Sequence, residues 1–163
     1  MFNINNKNAF TMIELVFVIV ILGILAAVAL PRLAATRTDA EVAKGRADIS
    51  SIRSAIVTQR QGRLITGDST FIAAGNAAGQ LDVGAGAAGT GPLFGGVLTY
   101  SVADSVNNGH WHNATRPDVN SSTYNYRILN TDIVFTYTRS NGKFDCASGT
   151  ATQAEIFCGN LVK

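Results

Sequence analysis

From Phe10 to Leu30 the chain runs 21 residues with one charge, Glu14, and one hydroxyl, Thr11. Val, Ile, Leu and Ala dominate the other positions, and no polar stripe interrupts them. As a helix this run would be about 31 Å long, enough to cross the hydrocarbon core of a bilayer. A helix apolar on every side lies in lipid or among other helices. After Pro31 the pattern changes. Val42, Ile49, Ile52 and Ile56 recur at spacings of seven, three and four, which marks one face of a helix. Arg37, Glu41, Lys44, Asp48 and Arg53 fall mostly on other faces, with Glu41 in i,i+3 reach of Lys44. The pattern predicts one long helix from Thr11 to Gln61, bent near Pro31 and capped by Gly62.

Beyond the helix the periodicity is lost and then returns as alternation. Residues 62–96 hold ten of the sixteen glycines and read as a long loop, in which segments such as 84–89 have no period and little to bury. Gly84, Gly86 and Gly89 match G-x-G-x-x-G, but no strand, helix or downstream acid flanks them, so a phosphate loop is not supported. Val97 to Val102 is β-prone. Tyr124, Tyr126 and Ile128 alternate with Asn125 and Arg127, and Ile133, Phe135 and Tyr137 alternate with Thr136 and Thr138. Asn141-Gly142 is a hairpin signal leading through Lys143-Phe144 into Cys146. The expected fold is α+β: a long N-terminal helix whose second half packs its isoleucine face on a small antiparallel sheet of three or four strands.

Three readings of the N-terminus compete. A secretory signal peptide would use Ala27-Val28-Ala29 as its cleavage site, but Glu14 lies inside the apolar run and Pro31 follows closely. A plain transmembrane anchor, unprocessed and carrying a periplasmic binding module, tolerates an acid poorly. The third reading accounts for the acid. Ala9-Phe10-Thr11-Met12-Ile13-Glu14-Leu15, followed by an apolar run with Gly23 in its middle and Pro31 at its end, resembles the N-terminus of type IV pilins and type II secretion pseudopilins.

The resemblance implies a set of expectations. Residues 1–9 form a leader, 10–31 a membrane and filament-core half-helix, and 32–163 a pilin-like head. Prepilin peptidase cuts between Ala9 and Phe10, where the family usually carries glycine before the cut. The freed amine of Phe10 is N-methylated. Glu14 then serves assembly by meeting the Phe10 amine of a neighbouring subunit, one turn inside a helix start where an anion also complements the dipole. Gly23 and Pro31 are weak points of the helix. The implied partners are further copies or relatives of the subunit, the peptidase, an inner-membrane assembly platform with its ATPase, and lipid before assembly. The implied location is the bacterial inner membrane with the head in the periplasm, then a periplasmic or surface filament.

Cys146 and Cys158 would close a 13-residue loop if paired, for about 3 kcal/mol; two separate buried thiols are the alternative. The pair resembles the C-terminal disulfide-bounded loop of many type IV pilins. Major secretion pseudopilins more often have a calcium-binding loop there, whereas Asp104, Asp118, Asp132 and Asp145 are widely spaced.

Charge adds little at the level of the whole chain, which is formally +2. Arg32 to Arg63 holds seven basic and three acidic residues, and Thr66 to Lys163 five basic and seven acidic. The basic stretch reads as a solvated helix face, or as a surface for anionic headgroups or an acidic neighbour. Nucleic-acid binding through Arg32, Arg37, Arg46, Arg53 and Arg60 is weakly supported. His110-Trp111-His112 has the i,i+2 spacing of two metal ligands on a strand, but no third ligand is suggested, and an aromatic surface loop is the plainer reading. Asn113-Ala114-Thr115 and Asn120-Ser121-Ser122 are N-x-S/T sequons, so Asn113 and Asn120 are candidate glycosylation sites. No catalytic constellation and no cofactor motif emerges; the chain reads as a structural subunit and not an enzyme.

Overall fold

The computed structural model describes residues 10–75, 80–82, 92–115, 118–146 and 152–162. The leader with Ala9, and Gly84, Gly86 and Gly89, lie outside the described residues, as do the side chains of Pro31, Arg32 and Asn113. Six elements follow in order: α1 (Met12–Ile65), β1 (Trp111–Thr115), β2 (Ser121–Ile128), β3 (Thr131–Thr138), β4 (Lys143–Cys146) and α2 (Thr152–Val162). The fold is α+β and pilin-like. The chain divides into two compact units, Met1–Arg37 and Thr38–Lys163.

In the first unit the stretch Met12–Leu30 is long and apolar enough to cross a membrane, and none of it is buried within the chain. Phe17, Ile19, Leu22 and Leu25, which point in different directions around the helix, are all more than half exposed. Such a surface needs lipid or other helices around it.

The second unit is built on a four-stranded antiparallel meander in the order β1-β2-β3-β4. β2 and β3 pair along their whole length, from Ser121↔Thr138 to Ile128↔Thr131. Leu129 and Asn130 join them with φ of 48° and 60°, the left-handed pair that a two-residue I′ turn requires. β3 returns to β4 through the Asn141-Gly142 turn, where the Lys143 N–H donates to Asn141 Oδ1 at 2.9 Å.

Strict alternation buries one face of the sheet. Tyr124, Tyr126, Ile128, Ile133, Phe135, Tyr137 and Phe144 turn inward and meet Ile49, Ile52 and Ile56 of α1 in one core. The polar tips of the buried aromatics all find partners, as burial of Tyr and Trp demands. Tyr126 donates to the Glu41 carbonyl at 2.7 Å, Tyr137 to the Ile72 carbonyl at 2.6 Å, and the Trp111 indole to Asp48 at 3.1 Å. Burial pushes the Tyr137 phenol up to about 12, so it stays a donor across the physiological range. Tyr124 and the Phe94 N–H both donate to the buried carboxylate of Asp82, at 2.5 and 2.7 Å.

Three expectations are corrected. Gly62 lies inside α1 and does not cap it. The helix runs on to Ile65, and Gly67 at φ 87° ends it: the Asp68 N–H reaches the Arg63 carbonyl and the Gly67 N–H the Leu64 carbonyl, a Schellman closure. The segment Val97–Val102 is not a strand. It pairs with the fold through the bridge Leu93↔Val102, while Val97, Leu98 and Val102 pack against the core from a turn and Tyr100 stands in solvent. The long loop itself feeds the core through Ile72, Ala74, Leu81, Leu93 and Phe94, while 84–89, the segment expected to have little to bury, lies outside the described residues. Trp111 is not in a surface loop; it opens β1 and is completely buried against Phe94, Tyr126 and Phe135.

α2 was not expected. Its sequence carries two helix signals: Thr152-Gln153-Ala154-Glu155 has the T-x-x-E capping spacing, and Ala154, Phe157, Cys158 and Leu161 recur at i, i+3, i+4 and i+7. Ala154 and Leu161 are buried, and Phe157 and Cys158 pack against the core.

Candidate assembly segment

Phe10 and Thr11 precede the first turn of α1, and Glu14 lies within it. Thr11 and Glu14 form a capping box. The Glu14 N–H donates to Thr11 Oγ1 at 3.3 Å, while Thr11 donates to Glu14 Oε2 from its backbone N–H at 2.9 Å and from its hydroxyl at 2.7 Å. The first intrahelical bond, Leu15 N–H to the Thr11 carbonyl at 3.2 Å, closes just beside it. The carboxylate that looked stranded in an apolar run is therefore held by its own helix start. Thr11 was not singled out from the sequence as its partner, although Thr11-Met12-Ile13-Glu14 has the same T-x-x-E spacing as Thr152 to Glu155.

Around this turn everything is apolar and open. Phe10 is 82% exposed and Met12 85%. Further along, Gly23 has nothing within 4 Å of where a Cβ would stand.

Residues 4–30 match the prokaryotic N-terminal methylation motif. This is the prepilin-type signature of type IV pilins and pseudopilins. The prepilin-type segment spans Ala9, Phe10, Glu14 and Gly23 and ends one residue before Pro31. Together with the apolar helix it fits membrane anchoring of a precursor. No curated protein and no solved structure matches the chain.

The other sequence candidates lie in the second unit. Cys146, at the end of β4, and Cys158, in α2, are joined in a disulfide with Cα atoms 6.0 Å apart. It ties α2 to the last strand of the sheet. His112 is buried, and its Nε2 lies 2.9 Å from Asp132 Oδ1. The same carboxylate takes Arg127 Nε at 2.6 Å and Arg127 Nη2 at 2.9 Å. His112 thus belongs to an ion-pair cluster that holds β1, β2 and β3 together. Among the described residues no three His, Cys, Asp or Glu side chains are grouped to hold a metal ion. Asn120 is exposed just before β2, where Asp118 Oδ1 accepts the N–H groups of Asn120 and Ser121.

The arginines proposed for nucleic acid are largely engaged within the fold. Arg46 donates to the Asn160 carbonyl at 2.5 Å, and Arg53 to the Phe144 carbonyl at 2.9 Å and Asp145 at 2.6 Å. Arg60 stacks on Phe71 with its guanidinium carbon 4.1 Å from the ring centroid. Lys44 donates to the Gly109 carbonyl at 2.6 Å. These contacts spend the basic face on packing α1 against α2, β4 and the loops, which removes most of the support for a DNA-binding helix.

Proposed function

We propose that the chain is a pilin-type structural subunit that polymerises through its N-terminal helix. The precursor sits in the inner membrane with its head in the periplasm. Prepilin peptidase cuts between Ala9 and Phe10, and the Phe10 amine is methylated. An assembly platform and its ATPase then move the subunit from lipid into a helical filament. Glu14 exchanges its local hold on Thr11 for the amine of a neighbouring Phe10, and this pairing sets the register of the stack. A pair of opposite charges in an apolar core is selective because either partner alone is strongly unfavourable there.

One observation carries this reading: the methylation motif at residues 4–30 coincides with a helix that offers apolar side chains in every direction and keeps its one carboxylate in the first turn. An unprocessed membrane anchor for a binding module needs neither the motif nor the acid.

Within the class, a type IV pilus subunit is favoured over a secretion pseudopilin by the Cys146–Cys158 bridge at the C-terminal end of the head. Electron microscopy of cells lacking the gene separates the two. Loss of surface filaments with secretion intact is expected; retained filaments with secretion lost would assign the chain to a pseudopilus.

A further inference from the structure

In the second unit, the last turns of α1, residues 69–71, Asn120 just before β2, and the end of β3 with the turn after it line an open cleft of about 500 Å³. This is within the size range of a site for a small ligand. Two guanidinium groups line it, those of Arg60 and Arg139. Both are positioned by Phe71. Arg60 stacks on the ring, and Arg139 Nε donates to the Phe71 carbonyl at 3.3 Å. A third guanidinium, that of Arg63, shares the same carbonyl at 3.4 Å.

Three cations converge on one residue, with one carboxylate, Asp68, paired among them. Asp68 Oδ2 accepts from Arg63 at 3.0 Å, and its Oδ1 accepts the N–H and the hydroxyl of Thr70 at 2.9 and 2.7 Å. Asp68 is thus hydrogen-bonded to Arg63 and the turn, and its charge also acts on Arg139 without a hydrogen bond to it. Among the described residues no carboxylate bridges to Arg60 or Arg139, and Arg139 has its terminal amino groups left for an acceptor outside the fold. A planar guanidinium held by its Nε or by stacking is preorganised to take an oxyanion on its other edge.

The remaining wall says what carries the anion. Ser69, Thr138 and Ser140 contribute hydroxyls and Asn120 an amide, while the Thr70 hydroxyl is already engaged by Asp68 and Arg63. Such groups bond oxyanions and sugar hydroxyls alike, and beside two guanidiniums they match an anion carried on a scaffold rich in hydroxyls. We propose that this cleft binds an acidic saccharide, its carboxylate on Arg139 and Arg60 and its ring hydroxyls on the Ser, Thr and Asn side chains. The site gives the head a ligand of its own, independent of polymerisation through the N-terminal helix.

Isothermal titration calorimetry of the full chain in detergent micelles, with glucuronate, glucose and inorganic phosphate as probes, tests this. Glucuronate is expected to bind, glucose and phosphate to bind at least about tenfold more weakly, and added salt to weaken the glucuronate complex. Arg139→Gln is expected to lower glucuronate affinity about tenfold or more, the loss of one charge-assisted contact. If that variant shifts the thermal transition, because Arg139 also ties down Phe71, Thr138→Val and Arg60→Gln take its place, with weakened glucuronate binding expected from each. No heat with glucuronate, equal affinity for phosphate or glucose, or unchanged affinity in a folded Arg139→Gln or Arg60→Gln protein overturns the proposal.

Discussion

Thr11 and Glu14 hold each other at the first turn of α1, the threonine hydroxyl accepting the Glu14 N–H while the glutamate accepts both donors of Thr11. An acid in a membrane helix is thereby satisfied within a single turn before any neighbour arrives. In the proposed filament the same carboxylate meets a charge that exists only after the leader is cut. The local box is then a resting state, and the intersubunit pair the working one.

Glu14→Val separates these roles. Membrane insertion is expected to persist, because the apolar run is lengthened, while filament yield falls sharply. Sheared-filament preparations compared with membrane fractions read both. Wild-type filament yield from Glu14→Val would show that the carboxylate does not pair between subunits.

Gly45 and Gly62 sit in the same helix and should respond oppositely to alanine. A Cβ on Gly45 would stand 2.6 Å from Leu161 Cδ2 and 2.7 Å from Tyr126 Cε1, where α1 meets α2 and the sheet. Overpacking of about 1–3 kcal/mol outweighs a propensity gain of about 1 kcal/mol, so Gly45→Ala is expected to destabilise. Gly62 has nothing within 4 Å, so Gly62→Ala keeps the gain, up to about 1 kcal/mol. Urea unfolding of the two variants checks the signs.

The Cys146–Cys158 bridge constrains α2, whose own buried contribution is small: Ala154 and Leu161. Reduction is expected to lower stability by about 3 kcal/mol, the entropy of a loop of this length. Unfolding curves with and without dithiothreitol measure it. Coincident curves would mean that α2 is held by packing alone.

The helix and the β2–β3 pair were legible because their apolar residues repeat at clean periods of 3.6 and 2 over long segments. Ile49, Ile52 and Ile56, and Tyr124, Tyr126 and Ile128, lie where that pattern puts them. α2 escaped because the cysteine in it drew attention to a loop, although its capping spacing and its Ala154–Leu161 stripe were present. Gly62 looked like a cap because glycine often ends helices, but the left-handed residue is Gly67. Composition alone hid the core contribution of Leu81, Leu93 and Phe94. In the assembly segment Glu14 was evident and Thr11 was overlooked. The arginine cleft was not legible at all, since Arg60, Phe71, Asn120 and Arg139 come together only through the folding of distant stretches.

Stability in acid should follow Asp132. The hydrogen bonds from Arg127, and then the His112 contact, hold its carboxyl below the usual range. A lowered folded value means stability that is fully present above the unfolded carboxyl value of about 3.9 and is lost as pH falls through the folded one. Asp48 acts in the opposite sense, because burial raises it despite the Trp111 hydrogen bond. Thermal midpoints between about pH 5 and 2 are expected to fall less steeply in Asp132→Asn than in the wild type. Parallel profiles would remove Asp132 from the acid limb.

The most direct test of the whole account is intact-mass and N-terminal peptide spectrometry of the protein recovered from cells that carry a prepilin peptidase. The prediction is a chain beginning at Phe10 with one added methyl group on its amine. A chain that still begins at Met1, with the leader intact, would contradict it.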